Sequence, residues 1–132
     1  KISQGVAMIK LKKIKYLELG NLQAKRDWGY APEYIEAMWL MLQQKSPGDY
    51  VVGTGETNSI EYFVEKAFEV VNLKYEKYLK INKKYFRPAE VDLLIADPSK
   101  INKKTGWKAK TKIDKLIEKM VINDLKFLEK NY

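Results

Sequence analysis

The sequence predicts a mixed α/β fold, in a single domain over residues 1–132, from three observations. Helix-like and strand-like segments alternate along the chain, as expected where helices pack on sheet layers. Hydrophobic residues make up 45% of the chain, which favours a folded domain over disorder. A length of 132 residues suits one hydrophobic core of modest size.

The first half of the chain contains three predicted helices and two predicted strands. A helix over residues 2–12 precedes a strand over residues 14–19, and residues 21–30 are polar and predicted irregular. Pro32 suits the first turn of a second helix, and residues 50–52 form a predicted strand. A third helix begins near Asn58, with Glu61 placed as in a capping box. The predicted core faces of the second and third helices comprise Tyr34, Ala37, Met38, Met41 and Leu42, and then Ile60, Phe63, Val64, Ala67, Phe68 and Val71.

The second half begins less regularly and ends in a long helix. Residues 74–86 are charged and aromatic and could hold a short strand, and residues 93–96 are predicted to be a buried strand or loop. Asp97 and Pro98 open a short helix that ends at Gly106, and Thr111 can cap the last helix. The apolar face of that helix comprises Ile113, Leu116, Ile117, Met120, Val121, Leu125 and Leu128.

The composition excludes several kinds of chemistry. The chain has no Cys and no His, so it has no disulfide framework and lacks the commonest general base and metal ligand. We therefore expect neither a metal site nor a catalytic residue in this chain. No apolar run is long enough to cross a membrane. The chain begins with Lys1 rather than Met, so we expect a fragment whose targeting cannot be judged.

The chain is strongly basic, with a formal net charge of +8, and nearly all the positive charge is Lys. A solvated Lys surface is the preferred interpretation, and polyanion binding is the alternative. Arg26 and Arg87 are the only two Arg residues, and Arg is favoured for specific phosphate contacts. These two side chains are therefore the first candidates for an anion site.

The segment Gly53-Thr54-Gly55 follows a predicted strand and precedes a predicted helix, as a phosphate-binding loop would. It lacks the further glycines of the dinucleotide fingerprint and the Gly-Lys-Ser/Thr of the P-loop. A tight turn is the preferred interpretation.

Two other segments are candidates for ligand binding. Over residues 25–29, Arg26 could bind a phosphate while Asp27 holds its guanidinium group. The alternative is a surface Arg–Asp pair beside a packed Trp28. Over residues 86–92, a stiff proline separates Arg87 from Glu90, so that a cation and a carboxylate could meet one ligand. A carboxylate suits ribose hydroxyls, but a rigid surface loop is an equal alternative.

Six blocks of the sequence resemble the C-terminal portion of GDP-mannose 4,6-dehydratases, which are extended short-chain dehydrogenase/reductases. The blocks are LGNLQAKRDWG at 19–29, EAMWLMLQQ at 36–44, TGET at 54–57, RPAEVD at 87–92, DPSK at 97–100 and TGWK at 105–108. The first and fourth blocks are the most specific. Tyr30 stands where the family has His, Pro32-Glu33 replaces a common Lys-Asp, and residues 74–85 match weakly.

The resemblance implies a division of labour between two domains. The family has an NADP-binding Rossmann domain followed by a smaller substrate domain, and this chain corresponds to the latter, without most of the Rossmann domain. The glycine-rich cofactor loop and the catalytic Tyr-x-x-x-Lys would lie upstream of Lys1. The implied full-length enzyme converts GDP-mannose to GDP-4-keto-6-deoxymannose on the route to GDP-fucose. We expect no NADP on this chain alone, and no dehydration by it.

Carried over by motif, the resemblance also assigns site residues. Arg26 would contact the GDP diphosphate and Arg87 would do so from the other side. Glu90 would hold the ribose hydroxyls, and Lys1 would lie near the nucleotide unless it is a frayed terminus.

The implied partners are GDP-mannose, the Rossmann domain and, in the full-length cytoplasmic enzyme, further copies of the same chain. Membrane or nucleic-acid partners are not expected. Two alternatives stay open: a related nucleotide-sugar epimerase or dehydratase, and a small basic module that binds nucleic acid.

Overall fold

The computed structural model describes residues 1–131 and has the expected mixture of helices and short strands. In chain order the elements are α1 (Ile2–Lys10), β1 (Leu17–Leu19), β2 (Lys25–Arg26), α2 (Ala31–Leu42), β3 (Asn58–Ser59), α3 (Ile60–Val70), β4 (Leu79–Ile81), α4 (Ser99–Thr105) and α5 (Ile113–Asn131). Single 3₁₀ turns flank β4, at Tyr75–Lys77 and Lys83–Tyr85. Among the described residues, no helix is long and apolar enough to cross a membrane.

The main core is built by α1, α3 and α5, and two residues of β1, Leu17 and Leu19, belong to the same cluster. Val6 on α1, Phe68 on α3 and Ile117 on α5 are completely buried, in one cluster where the three helices meet. Their positions repeat at helical spacing, so each helix turns one apolar stripe inward. The predicted core faces of α3 and α5 are therefore largely confirmed, although Met120 is exposed.

The beginnings of two helices differ from the prediction. Ser59, not Asn58, caps α3, because its hydroxyl accepts the Tyr62 N–H at 3.1 Å. Glu61 consequently does not complete a capping box, and its carboxylate accepts from the Gln23 side chain at 3.0 Å instead. Thr111 does not cap α5 either, since the helix begins at Ile113 and Lys112 directly precedes it. The Thr111 hydroxyl donates to another carboxylate, described below.

The short helix α4 ends as predicted, but Pro98 rather than Asp97 is its N-cap residue, and Ser99 is its first helical residue. The Asp97 carboxylate accepts the Ser99 N–H at 3.0 Å, and these hydrogen bonds from Ser99 lower the pKa of Asp97. At the other end Gly106 has a φ of 76°, the left-handed conformation in which glycine commonly ends a helix.

The strands form two small ladders. β1 pairs with β4 in parallel, which confirms a strand within residues 74–86. β2 pairs with β3 in antiparallel register, Arg26 opposite Asn58, so the segment predicted to be irregular contains a strand. Residues 50–52, in contrast, form no strand. A strand needs a neighbour to complete its hydrogen bonds, and no ladder among the described residues includes this segment.

Two apolar segments expected in the core are exposed. Leu93, Leu94 and Ile95 are each about half exposed, and only Leu93 forms an isolated bridge, to Lys25. On α2, Ala37 is buried against Ile101 of α4 and Trp107, in a second, smaller core. The neighbouring face of α2 is uncovered because α4 and Trp107 pack against one side of the helix alone. We call this face the α2 stripe; it comprises Ile35, Met38, Trp39 and Leu42.

Candidate functional site

The two candidate ligand-binding segments lie side by side on β2. The backbone N–H of Lys25 donates to Asp92 O at 2.7 Å, and the Leu94 N–H donates to Lys25 O at 3.1 Å. These bonds lay residues 92–94 along the free edge of β2, opposite β3. The structure therefore brings Arg26 and Glu90, which are far apart in sequence, into direct contact.

The guanidinium group of Arg26 has three partners. Its Nη2 atom donates to the Glu90 carboxylate at 2.5 Å. Its Nη1 atom donates to the carbonyl oxygens of Lys25, at 2.7 Å, and Val91, at 2.6 Å. Both members of the ion pair are largely shielded, with 18% of the Arg26 side chain and 19% of the Glu90 side chain exposed.

Asp27 does not hold the guanidinium group of Arg26, contrary to expectation. Its carboxylate accepts the Gly55 N–H at 2.9 Å and the Ala96 N–H at 3.2 Å. It also accepts from the Thr54 N–H at 3.0 Å and from the Thr54 hydroxyl at 2.6 Å. Successive side chains on an extended backbone point to opposite sides, so Arg26 and Asp27 serve different neighbours.

This arrangement explains the segment Gly53-Thr54-Gly55. Its N–H groups point at one anion, as they would in a phosphate loop, but the anion is the carboxylate of Asp27. A Cβ atom at Gly53 would lie 2.2 Å from the Cβ of Ala96, so only glycine allows these segments to approach. The tight-turn interpretation is confirmed, and the turn does not fit the phosphates of a dinucleotide such as NADP.

Arg87 differs from Arg26 in its surroundings. It is exposed, on the loop 86–92, and no described residue makes a hydrogen bond or ion pair with its guanidinium group. At its start, the Phe86 N–H donates to Lys83 O at 3.0 Å, just after the Asn82 N–H has donated to Leu19 O at 2.8 Å; at its end the loop is held by β2. Arg87 is therefore a free cation on a loop that is fixed at both ends.

Lys1 lies beside the start of the same loop. Its Nζ atom is 3.7 Å from the centre of the Tyr85 ring, a cation–π contact. The backbone of Tyr85 in turn lies against Gly20, where an added Cβ would meet Tyr85 O at 2.5 Å. Lys1 thus contacts the residues that lead to Arg87.

A groove of about 760 Å³ lies next to Lys1, between the start of α1, residues 28–31 and α5. Trp28 forms one wall, packed on Phe63 with ring centres 5.2 Å apart. Met120 and Lys119 of α5 form the opposite side. Neither Arg26, Arg87 nor Glu90 lines this groove. Lys1 lines the groove and also contacts Tyr85, so it borders both the groove and the loop that carries Arg87.

A second carboxylate, that of Glu33, joins α2 to the segment before α5. It accepts the Thr111 hydroxyl at 2.7 Å and the backbone N–H groups of Thr111 and Lys110. Partial burial raises the pKa of Glu33, but these hydrogen bonds outweigh it and lower the pKa below its usual value. This contact could not be predicted from the sequence, because Glu33 and Thr111 are 78 positions apart.

The contact that Arg26 makes with the Val91 carbonyl was missed too, since backbone acceptors leave no signal in a sequence. The direction of the Asp27 side chain was missed because residues 21–30 were predicted irregular, whereas Lys25 and Arg26 form a strand. Had residues 25–27 been predicted extended, the alternation of side chains would have placed Asp27 on the face away from Arg26.

Comparison with known proteins identifies the family. A family model described as GDP-mannose 4,6 dehydratase matches residues 1–120. The chain belongs to this family. The resemblance found in the sequence is thereby confirmed, and it extends over most of the chain.

Named dehydratases are close relatives of the chain. GDP-mannose 4,6 dehydratase of Drosophila melanogaster is 43% identical over 148 residues, covering 99% of this chain and 38% of its own length. GDP-mannose 4,6 dehydratase 2 of Arabidopsis thaliana is 46% identical over 130 residues, covering 98% of this chain and 35% of its own. The human GDP-mannose 4,6 dehydratase is 41% identical, and the match covers 99% of this chain and 40% of the human protein. The chain thus spans roughly two fifths of the length of these relatives.

Solved structures give the same fold at low sequence identity. RMD from Pseudomonas aeruginosa, solved with NADPH, superposes with a TM-score of 0.84 over 96% of this chain and 41% of its own, at 18% identity. dTDP-glucose 4,6-dehydratase from Bacillus anthracis, solved with NAD, superposes with a TM-score of 0.79 at 16% identity. The superposition covers 99% of this chain and 39% of that structure's chain. The dehydratase-family chain therefore has the fold of part of an extended short-chain dehydrogenase/reductase, as predicted.

Proposed function

We propose that this chain is the substrate-binding part of a GDP-mannose 4,6-dehydratase and that it grips the GDP end of GDP-mannose. The observation that carries the proposal is the Arg26–Glu90 contact, with Arg87 on the same loop as Glu90. In this proposal Arg87 and Arg26 face the diphosphate, Glu90 accepts from the ribose hydroxyls, and Lys1 adds positive charge nearby.

The charges suit a nucleoside diphosphate. Arg can meet a phosphate with two parallel hydrogen bonds, and a carboxylate can accept from neighbouring hydroxyls. Because the loop 86–92 is held at both ends, little ordering should be needed when a ligand binds. Several such fixed contacts on a remote part of a substrate can position its reacting end.

The rest of the site is proposed to come from a further domain. The α2 stripe exposes Leu42 to 82%, and contiguous exposed apolar residues of this kind mark a contact with another surface. The relatives are also more than twice as long as this chain. We infer that a nucleotide-binding domain packs there, and that full-length chains associate with one another.

NADP is proposed to bind to that further domain and to supply the redox chemistry of the reaction. The anion-binding turn over residues 53–55 is filled by Asp27, so these residues do not fit the cofactor. What this chain contributes is binding and orientation of the substrate. Alone, it is proposed not to catalyse dehydration.

The proposal is tested by calorimetric titration of the complete protein with GDP-mannose and, separately, with UDP-glucose. We expect selective binding of GDP-mannose. Arg87→Ala and Glu90→Ala should each weaken it by about tenfold or more, as expected for the loss of a hydrogen bond to a charged group. Lys115→Ala is the control, because it removes one positive charge from α5, where Lys115 pairs with Glu118, and leaves the proposed site intact.

Equal affinity of both nucleotide sugars would contradict the assignment to a guanosine ligand. Unchanged binding in both site variants would contradict the assignment of residues. A steep loss of affinity with salt that is the same for every base would favour the nucleic-acid alternative instead.

A further inference from the structure

A second groove, of about 640 Å³, lies beside the C-terminal ends of α1 and α3. None of the residues proposed to bind GDP-mannose lines it, and neither does any Asp or Glu of the described chain. Its charged lining residues are all lysines of the segment KLKKIK over residues 10–15, and we call it the lysine groove. These residues are Lys10, Lys12, Lys13 and Lys15.

The floor of the lysine groove is apolar and is held by the main core. Ile14, Leu73 and Tyr78 line the groove, are half-buried and pack against that core. The ring of Tyr78 stacks on the buried Phe68, with ring centres 5.9 Å apart. Because the core fixes these side chains, the groove exists before a ligand arrives, and little ordering is needed for binding.

Contacts within the chain do not account for all of the lysines. Lys10 has an internal partner, since its Nζ atom donates to the Val71 carbonyl at 3.0 Å, at the end of α3, where a cation is favoured. Lys12 and Lys15, in contrast, make no ion pair and no side-chain hydrogen bond with residues 1–131. Their charges are therefore available to an anionic ligand.

Lys12 occupies a backbone position at which glycine is the usual residue. Its φ is 57°, and the N–H of Lys13 donates to Met8 O at 2.8 Å, the hydrogen bond that closes a helix end of the Schellman type. A side chain in this left-handed conformation costs free energy that glycine does not cost. The chain thus carries a cation at the groove where glycine would relieve the conformation.

The chemistry of the groove favours one class of anion. Exposed lysines attract carboxylates, and the apolar floor suits apolar side chains beside those carboxylates. Nucleic acid fits less well, because both arginines lie elsewhere and the aromatic ring of the groove, Tyr78, is already stacked on Phe68.

We propose that the lysine groove binds an acidic segment of a partner protein, in which Asp or Glu alternates with apolar residues. The lysines would pair with the carboxylates, and the floor would bury the apolar side chains. The groove is separate from the nucleotide site, so the inference does not rest on the proposed function.

The test is a titration of the complete protein into a short fluorescent peptide in which Glu and Leu alternate, followed by anisotropy. We expect this peptide to bind more tightly than one with Ser in place of Leu, and more tightly than an oligo(dT) of equal charge. Affinity should fall as salt is added, because the charges involved are exposed.

Substitutions in the groove separate binding from folding. Lys12→Gly removes a charge and relieves the left-handed conformation, so peptide affinity should fall about two- to fivefold while the thermal midpoint stays the same or rises. Lys15→Gln should cause a similar loss of affinity. Lys104→Gln is the matched control, because it removes the same charge from an exposed position in the last turn of α4 and should leave the affinity unchanged.

Several results would overturn the proposal. Equal losses in Lys15→Gln and Lys104→Gln would show that net charge alone attracts the peptide. Tighter binding of oligo(dT), weakened by the same substitutions, would assign the groove to nucleic acid. Equal affinity for the Ser peptide, or no binding of the Leu peptide, would exclude a role for the apolar floor. Unchanged affinity with a lower thermal midpoint in Lys12→Gly would leave that residue a structural role alone.

Discussion

The carboxylate of Glu33 accepts the hydroxyl of Thr111 at 2.7 Å and the backbone N–H of the same residue at 3.1 Å. With a third hydrogen bond, from the Lys110 N–H at 3.0 Å, one side chain on the first turn of α2 fixes the approach to α5. The two core clusters of the chain are thereby joined through a single acceptor.

Glu33→Gln should therefore lower the free energy of unfolding by about 1–3 kcal/mol. Glutamine offers one carbonyl oxygen, and its NH₂ group would face an N–H donor. Urea denaturation measures the change. Glu36→Gln is the control, since Glu36 is exposed on the same helix and should have an effect near zero. Equal effects of the two substitutions would show that the Thr111 contact contributes nothing.

The same contact should make stability depend on pH. Because the folded chain lowers the pKa of Glu33 below its usual 4.5, this contribution is fully present above that pH and is lost as the pH falls through the lowered value. The lowered pKa values of Glu18 and Asp97 act in the same direction. Below pH 5, the free energy of unfolding should therefore fall less with decreasing pH in Glu33→Gln than in the parent, as measured by urea denaturation at several pH values. Parallel curves would contradict this.

Gly53→Ala should destabilise the chain by about 1–3 kcal/mol, as overpacking of a tight contact does. The new methyl group would lie 2.2 Å from the Cβ of Ala96 and 3.1 Å from the carboxylate of Asp27. Gly48→Ala is the matched control, because the nearest atom to its added Cβ is 3.7 Å away. Thermal denaturation of both variants measures the effect. We expect a lower midpoint for Gly53→Ala and an unchanged one for Gly48→Ala. Equal midpoints would show that the turn accommodates the extra methyl group without cost.

Phe68→Ala should be among the most destabilising substitutions, by about 3–5 kcal/mol, because it removes a large buried side chain and leaves a cavity. Phe68 is fully buried and stacks on Tyr78 at 5.9 Å. Phe127→Ala removes the same atoms from an exposed position on α5 and should cost less than about 1 kcal/mol. Similar losses of unfolding free energy in the two variants would contradict the assignment of Phe68 to the main core.

The exposed α2 stripe should make the isolated chain associate with itself. Replacing Trp39 and Leu42 together by Gln should abolish that association without lowering the thermal midpoint, because neither side chain is buried. Sedimentation velocity at several concentrations measures it. Phe127→Gln, an exposed apolar residue outside the stripe, should leave the association unchanged. A monomeric parent at high concentration would refute the prediction.

Sequence patterns predicted the helices of the main core well. α3 and α5 bury a regular apolar stripe, and hydrophobic periodicity reports burial of that kind directly. The same rule was wrong for Met38 and Leu42, which have the right spacing but no neighbouring element to cover them. Periodicity indicates which face of a helix is apolar, but not whether the described chain supplies the partner surface.

The candidate site was predicted in part. The sequence indicated Arg26, Arg87 and Glu90 as residues for one anionic ligand, and the structure places Arg26 against Glu90. It could not indicate that Asp27 turns away, because that depends on a two-residue strand whose pairing with Ser59 is non-local. Short strands are defined by their neighbours, so their effects on side-chain direction emerge only with the fold.

The pairing of Arg26 with Asn58 has a topological consequence. The chain leaves the main core at β2 and returns beside its own point of exit at β3, so the intervening loop and helix begin and end at adjacent backbone positions. A reverse turn of a few residues could bridge that gap. The two ends of the α2 excursion are therefore adjacent in space, but its side chains are tied to the main core, because Trp28 packs on Phe63 and Glu33 accepts from Thr111. A replacement segment would have to keep both contacts for α1, α3 and α5 to keep their mutual packing.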